Sequence, residues 1–406
     1  MSQPSPARTR LALFALALGG FGIGSTEFVA MGLLPNIARE LLPKLAAVSP
    51  EAANAQAGWL IAAYALGVVV GAPTIAIFAA RFARKRLLLI LVAAFTVGSL
   101  ASAVLPSFGW VFAARFVAAL PHGAYFGIAS LVAAELMGPG KRAKGVAAVL
   151  FGLTIANVIG VPSITFIGQV TNWRVAYFVV AGLFALAFAA IAVLVPFQEG
   201  DRTATVAREL QAFGRIQVWL ALLIGAMGFG GFFAVYTYIS PMVTEVTQRG
   251  IAFVPIVLVV IGLGLTLGNA LGGFFADRNV MGSIFGFFGV YLASLIALAL
   301  TAHTVVGLLV CTFVLGTAAA ALSPAIQTRL MDVAGDSQTI AAALNHAAFN
   351  IGNGLGAFLG GVTVAAGFGY VAPTWIGALL CVPGILLAIT SLMVQRRSQR
   401  HLSLAA

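Results

Sequence analysis

Glu27 is the one acidic side chain well inside a long apolar run, Leu11–Leu34, in the string GSTEFVAMGLLP. An ionised carboxylate in hydrocarbon costs several kcal/mol, roughly 3 on insertion scales. A residue kept at that cost is a candidate for binding a proton or an ion. Arg115 is the one basic residue inside an apolar run, and His122 follows seven residues later, on roughly the same face of a helix. A carboxylate and a guanidinium that approach and separate could take up and release a proton. A neighbouring cation favours the ionised carboxylate, whereas burial favours the neutral one. Imidazole titrates near neutral pH and suits the same traffic. The structural alternatives are a carboxylate near enough to the interface to be wet and a neutral histidine bonded to backbone. No histidine stands at metal-ligand spacing from another ligand, so no metal is expected.

The elements that position these residues follow from composition. The chain has 406 residues, of which 61% are hydrophobic and only 8% charged. A soluble domain is about a quarter charged, so this surface must face lipid. Twelve apolar runs are long enough to cross about 30 Å of hydrocarbon: 11–34, 58–80, 87–106, 110–136, 146–169, 175–196, 218–241, 253–275, 283–302, 305–327, 339–366 and 373–394. They must be helices, because open strands would leave backbone groups unpaired in lipid. The first run is too long for the apolar core of a signal peptide and is read as a retained helix.

The net charge of +11 does not imply nucleic acid, because the positives cluster in short connections between apolar runs. With the N-terminus in the cytoplasm, seventeen Lys and Arg fall on the cytoplasmic side and four outside. The positive-inside rule then puts both termini in the cytoplasm. On that orientation Glu27 lies roughly 10 Å, and Arg115 roughly 8 Å, below the outer surface at 1.5 Å per residue. The two could meet in the first bundle.

The polar segment 198–217 divides the runs six and six, giving expected bundles over 1–197 and 218–406 joined by a cytoplasmic linker. The halves also repeat. Gly67-x3-Gly71-x8-Ala80-Arg81 matches Gly264-x3-Gly268-x8-Asp277-Arg278 at an offset of 197, and Ile155-Ala156-Asn157-x2-Gly160 matches Ile351-Gly352-Asn353-x2-Gly356 at 196. A duplicated six-helix unit around a central site is a transporter architecture.

Several strings carry a closer resemblance: GSTEFVAMGLLP, RFARKR, RFVAALPHGAYFG, GLTIANVIGVP with the following NWR, YTYISP, GNALGGFFADR and NHAAFNIGNGLGA. With them the chain resembles the major facilitator superfamily, and within it the drug:proton antiporters that include arabinose-efflux and chloramphenicol-efflux permeases. The resemblance implies an all-α membrane fold of two pseudo-symmetric six-helix bundles, a monomer, and no cofactor beyond a proton gradient. Arg115 falls at the arginine that the family associates with proton transfer. Gly160 and Pro162 match part of its antiporter signature. The family's motif between the second and third helices is altered: its Asp is Ala80 and its glycines are Ala76 and Ala83. Arg81, Arg84 and Lys85 remain as candidate cytoplasmic gate residues, or as charge that merely sets topology. The second copy keeps Asp277 and Arg278, which are expected to carry the gating charge alone.

Other polar residues in the apolar runs face the bundle interior. Asn157 and Asn353, beside Gly160 and Gly356, read as packing or hinge residues. Asn345, His346 and Asn350 read as cavity residues that bind substrate. Tyr236 and Tyr238 could stack on a solute or anchor at the interface. The activity expected is outward transport of a sugar, nucleoside or drug such as an amphenicol, driven by protons. An importer or uniporter is the alternative. No Walker A string or hydrolase motif supports ATP drive or an enzyme, and a sensor would more often carry a soluble output segment.

Overall fold

The computed structural model describes residues 5–79, 82–138, 142–199, 214–334 and 338–405, with side chains over the same residues apart from 76–79, 142–143, 338–343 and 397–405. Arg81, Ala80 and most of the expected linker lie outside the described residues. Among the described residues there are twelve membrane-length helices, spans 1–12: Pro6–Gly32, Pro50–Ile75, Arg84–Val104, Phe108–Met137, Lys144–Val170, Trp173–Leu194, Ile216–Thr237, Ile251–Ala276, Val280–Thr301, Val305–Ala334, Leu344–Ala365 and Ala372–Arg396. Span 2 begins eight residues before its expected start, because the segment Pro50–Ala57 is helical. Two short helices not expected from hydropathy, Leu34–Leu41 and Pro43–Val48, cross the face opposite the termini. That face is called distal below, and the face carrying both termini the terminal face.

Spans 1–6 pack as one bundle and spans 7–12 as a second, with like pairings in each. The glycine repeat explains the likeness. At Gly67 the backbone carbonyl of Phe116 comes so close that a Cβ could not fit, and at Gly264 the carbonyl of Phe313 does the same. Gly71 on Leu120 and Gly268 on Thr317 repeat it one turn on. Both pairs keep the offset of 197, so spans 2 and 8 lie on spans 4 and 10 in one register. Small residues permit that backbone approach in a membrane, where no hydrophobic effect drives helices together.

The bundles meet along spans 2 and 11 and along spans 5 and 8. Spans 1 and 7 lie at the centre: span 7 has 83% of its most apolar window buried, against 33% for spans 6 and 9. Exposed Phe14, Ile90, Trp110, Val193 and Leu379 present apolar side chains outward, as a lipid-facing surface requires.

Kinks fall where proline removes a backbone donor. Span 4 breaks at Leu120–Pro121. Span 5 widens into a π-type turn over Ala156–Gly160, just before Pro162, where the Val161 amide bonds back to the Ala156 carbonyl. Span 7 ends in a break at Tyr238 and a second such turn, Met242–Val246, after Pro241.

One polar cluster ties the distal face of the first bundle together. Arg174, at the start of span 6, donates to Glu40 Oε1 at 2.6 Å and to the carbonyls of Ala103 and Leu105 at 2.7 and 2.9 Å. Trp173 Nε1 and Asn172 Nδ2 donate to Glu40 Oε2 at 2.7 and 3.1 Å. Partial burial pushes the Glu40 carboxyl up, but the bonds from Arg174, Asn172 and Trp173 outweigh it and hold it below the usual carboxylate range. A carboxylate so held stabilises the fold above its ordinary pKa and loses that contribution as pH falls through its lowered value. Glu40→Gln is therefore expected to cost ~1 kcal/mol at pH 7, because the pair is part-exposed and screened. In detergent the melting-temperature gap between variant and wild type should close as pH falls towards 3. A gap that stays constant from pH 7 to 3 would contradict this reading.

Candidate functional site at the seam between the bundles

Span 1 carries Glu27 about 7 Å below its distal end, at 1.5 Å per residue. The side chain is 2% exposed. Its Oε1 accepts a hydrogen bond at 3.4 Å from Asn353 Nδ2 of span 11, in the opposite bundle. Asn353 was read from sequence as a packing residue. It is fully buried, and it also joins the two bundles at the carboxylate.

Arg115 comes to the same region from span 4, just before the Pro121 break, and is 1% exposed. The expected direct pair with Glu27 does not form: among the described residues no ion pair within 4 Å joins them. The reason is helical phase. Thr26 and Glu27 point about 100° apart, and it is Thr26 that faces span 4. Arg115 Nη1 donates to the Thr26 carbonyl at 3.0 Å and to Thr26 Oγ1 at 3.3 Å. The guanidinium carbon lies 4.4 Å from the Tyr64 ring centre and 5.5 Å from that of Tyr177. A desolvated cation over an aromatic face gains about 2 kcal/mol. Nε and Nη2 have no hydrogen-bond partner, so the cation is held in place without being neutralised by contact.

Tyr64 also links Arg115 to His122, its hydroxyl lying 3.2 Å from His122 Nδ1. His122 is buried, and its ring centre is 6.1 Å from that of His346 in the opposite bundle. His346 stacks on Phe126 at 5.3 Å and is only half-buried. The structure thus brings Glu27, Arg115, His122, His346 and Asn353 into one band at the seam. Tyr64, Thr26 and Tyr177 belong to it and were missed from sequence. A tyrosine hydroxyl in the middle of span 2 was the available signal, hidden by counting Tyr as apolar.

Other expected residues sit elsewhere. Tyr238 is neither offered to a solute nor placed at a lipid interface: it is fully buried, donates to the Ala357 carbonyl at 2.9 Å, and lies against Gly58 and Gly361 from both bundles. Tyr236 is buried against Phe28 and Phe232, with ring centres 5.6 and 5.1 Å away. Asn345 faces span 10, donating to Ser323 and Gln327, and Asn350 donates back to the His346 carbonyl. Asn157 lies on the seam, its backbone carbonyl against Gly262 of span 8. Gly160 rests on Phe21 and Ser25 of span 1, and Gly356 on the Gly230 carbonyl of span 7.

The charge expectation for the gate is corrected. Asp277 and Arg278 are exposed, and Arg278 folds back onto Phe274 of its own helix. The ion pair is instead in the first bundle, where Arg84 meets Glu135 at 2.6 Å. Glu135, at the end of span 4, supplies a carboxylate that the motif lost at Ala80. Lys85 donates to the Ala192 carbonyl. Both bonds stay within the first bundle.

Among the described residues, two side-chain hydrogen bonds join the bundles, and both lie distal. One is Asn353–Glu27. The other is Asn54 Nδ2 to the Tyr370 hydroxyl at 2.7 Å, from the start of span 2 to the connection between spans 11 and 12. Burial pushes the Tyr370 phenol up to about 12, and nearby Glu51 and Glu245 add to this. The hydroxyl therefore stays protonated. Ring contacts extend the closed seam inward from Phe28–Phe233 to His122–His346. Beyond the adjoining Phe126–His346 stack no ring contact or side-chain hydrogen bond joins the bundles nearer the terminal face among the described residues, and span 5 touches span 8 chiefly through its distal half.

The sequence model of the Major Facilitator Superfamily matches residues 16–335. The chain belongs to that superfamily. It is 39% identical over 379 residues to an Escherichia coli K12 protein named "Inner membrane transport protein YdhP", covering 93% of this chain and 95% of that one. It is 31% identical over 384 residues to a "Chloramphenicol resistance protein" of Streptomyces lividans, covering 93% and 95%. Among solved structures, a bacterial homolog of the lysosomal transporter Spinster, in an inward-facing and occupied conformation, superposes with a TM-score of 0.75 at 15% identity, covering 96% and 98%. That likeness shows the superfamily fold.

The Asn54–Tyr370 bond should help hold the distal face closed. One hydrogen bond is worth about 1 kcal/mol, so Asn54→Ala should raise the population open at the distal face roughly fivefold. Spin labels at exposed Val48 and Phe368, read by double electron–electron resonance, report that opening. An unchanged distance distribution would remove the bond from the seal.

Proposed function

We infer that the protein is a proton-coupled exporter of small organic solutes in a bacterial inner membrane, working by alternating access. The observation that carries this is Glu27: a carboxylate shut between the bundles, bonded across the seam to Asn353, with the uncompensated Arg115 cation beside it. Both termini are taken as cytoplasmic, as the distribution of Lys and Arg supports. The terminal face is then cytoplasmic, and the closed distal seam corresponds to a state open to the inside. Kinship to an inner membrane transport protein supports the location, and kinship to a resistance protein supports export. A monomer is sufficient for the cycle, since the whole band comes from one chain.

The cycle follows from electrostatics. When the distal face opens, Glu27 meets external water and takes a proton. Neutral Glu27 can be shut from water at little cost, whereas an ionised carboxylate there costs several kcal/mol. Protonation thus favours closing outside and opening inside. On the cytoplasmic side Arg115 and the Asn353 amide both favour the ionised carboxylate, so the proton leaves as cargo enters. The charge regained at Glu27 then favours renewed opening to the outside. Protons then move in as cargo moves out. Tyr64 and His122 hold and orient Arg115, and half-buried His346 lies where cargo from the cytoplasm would meet the seam. No cofactor enters the cycle. Sugars, nucleosides and amphenicols are the cargo classes to test.

Proteoliposomes with an imposed pH gradient test the coupling. Wild type should accumulate a responsive solute from such a panel against its gradient, and Glu27→Gln should lose at least tenfold of the gradient-driven component. Equal gradient-dependent transport by both proteins would refute the proton role. Arg115→Gln should slow transport by a comparable factor, because among the described residues Arg115 is the cation that acts on Glu27. Arg115→Gln transport at the wild-type rate would refute that role.

A further inference from the structure

Arg329 belongs to none of the machinery above. It lies about 7 Å before the terminal-face end of span 10, at 1.5 Å per residue, and is 5% exposed. Its partners are all neutral. Nη1 donates to Gln395 Oε1 at 2.9 Å, and Nη2 donates to Gln217 Oε1 at 3.1 Å and to Ser391 Oγ at 3.0 Å. Nε is buried with no partner. Among the described residues no carboxylate comes within 4 Å of it. Asp332, three residues on, is exposed and acts on it only at longer range. The repeat makes the charge more telling: the position 197 earlier is Val132, so the first bundle builds the same packing with an apolar residue.

A guanidinium closed in by amides and a hydroxyl, with one donor unused, is set up for an anion. Gln395 is only part-buried and can swing away; part-buried Gln217 is also tied to Ser391, its Nε2 donating to the Ser391 carbonyl at 3.0 Å and its Oε1 accepting from the Ser391 hydroxyl at 2.7 Å. Their Oε1 atoms stand where anionic oxygens would sit. The site opens between the ends of spans 7, 10 and 12, at the depth of lipid headgroups. Exposed Arg215, whose Nη1 donates to the Val333 carbonyl, and exposed Arg396 add positive charge at the rim. Basic pockets between membrane helices at this depth suit phosphate headgroups.

We propose that Arg329, with Gln217, Ser391 and Gln395, forms a binding site for the phosphate of an anionic phospholipid at the terminal face of the second bundle. Arg supplies a fork that phosphate oxygens match, and the rim arginines favour a negative lipid over a zwitterionic one. The occupied site would tie spans 7, 10 and 12 into one rigid block.

The test uses the purified full chain in uncharged detergent, titrated separately with dioctanoyl phosphatidylglycerol, dioctanoyl phosphatidylcholine and inorganic phosphate, with melting followed by tryptophan fluorescence. Phosphatidylglycerol is expected to raise the melting temperature by several degrees more than phosphatidylcholine, and Arg329→Gln to abolish the difference. Equal shifts from both lipids, or a preference that survives in Arg329→Gln, would overturn the site. Matching protection by inorganic phosphate would overturn the lipid assignment. A measurement on wild type alone covers the case in which Arg329→Gln does not fold. Phosphatidylglycerol with a photoactivatable acyl chain should label peptides from the terminal-face ends of spans 7, 10 or 12. Labelling confined to other spans would overturn the proposal.

Discussion

A carboxylate shut away from water must be neutral or matched, and Glu27 is placed where that requirement bears on shape. It sits on the seam along which two six-helix bundles close. Its one hydrogen bond crosses that seam to Asn353, and its nearest cation, Arg115, is spent on Thr26 and two tyrosine rings rather than on Glu27. The match is therefore incomplete by construction. Closing the seam is easy with a proton on Glu27 and costly without one. The remainder of the site fixes that imbalance in place: Thr26 orients Arg115, Tyr64 braces it, and the His122–His346 contact continues the seam towards the terminal face.

The duplicated scaffold makes the seam possible without itself being chemical. Glycines at 67 and 71, and their counterparts at 264 and 268, set two helix pairs in the same register, so the bundles present matching faces. The chemistry then departs from the symmetry. On the shared offset, Arg115 corresponds to Thr312 and His122 to Ala319. The groups proposed to handle the proton belong to the first bundle, and the second contributes Asn353 and His346 at the seam. Arg329, against Val132, is a departure in the other direction.

The twelve spans, their repeat and the placing of Glu27 inside the first span were legible in the sequence, because each rests on a cost that lipid imposes on single residues: unpaired backbone, charge in hydrocarbon, bulk at a close crossing. What was not legible depends on which way a side chain turns. Thr26 and Glu27 are adjacent in sequence and face different helices, so the expected ion pair became a carbonyl bond. Tyr238 looked like a solute-facing ring and proved to be a bolt between the bundles. Asn353 looked like packing and proved to touch the carboxylate. The charge pair at the terminal face used Glu135, which lies far in sequence from the motif it completes. Helix phase and tertiary partners decide such cases, and neither is written in hydropathy.

Central to the proposed cycle is that a proton on Glu27 closes the distal seam. The most direct test is the distance between spin labels on the distal ends of the two bundles, measured from pH 5 to pH 9 in cargo-free protein. The claim predicts that wild type shortens as pH falls, and that Glu27→Gln, uncharged throughout, holds the short distance at every pH. A Glu27→Gln protein that still moves with pH as wild type does would contradict it.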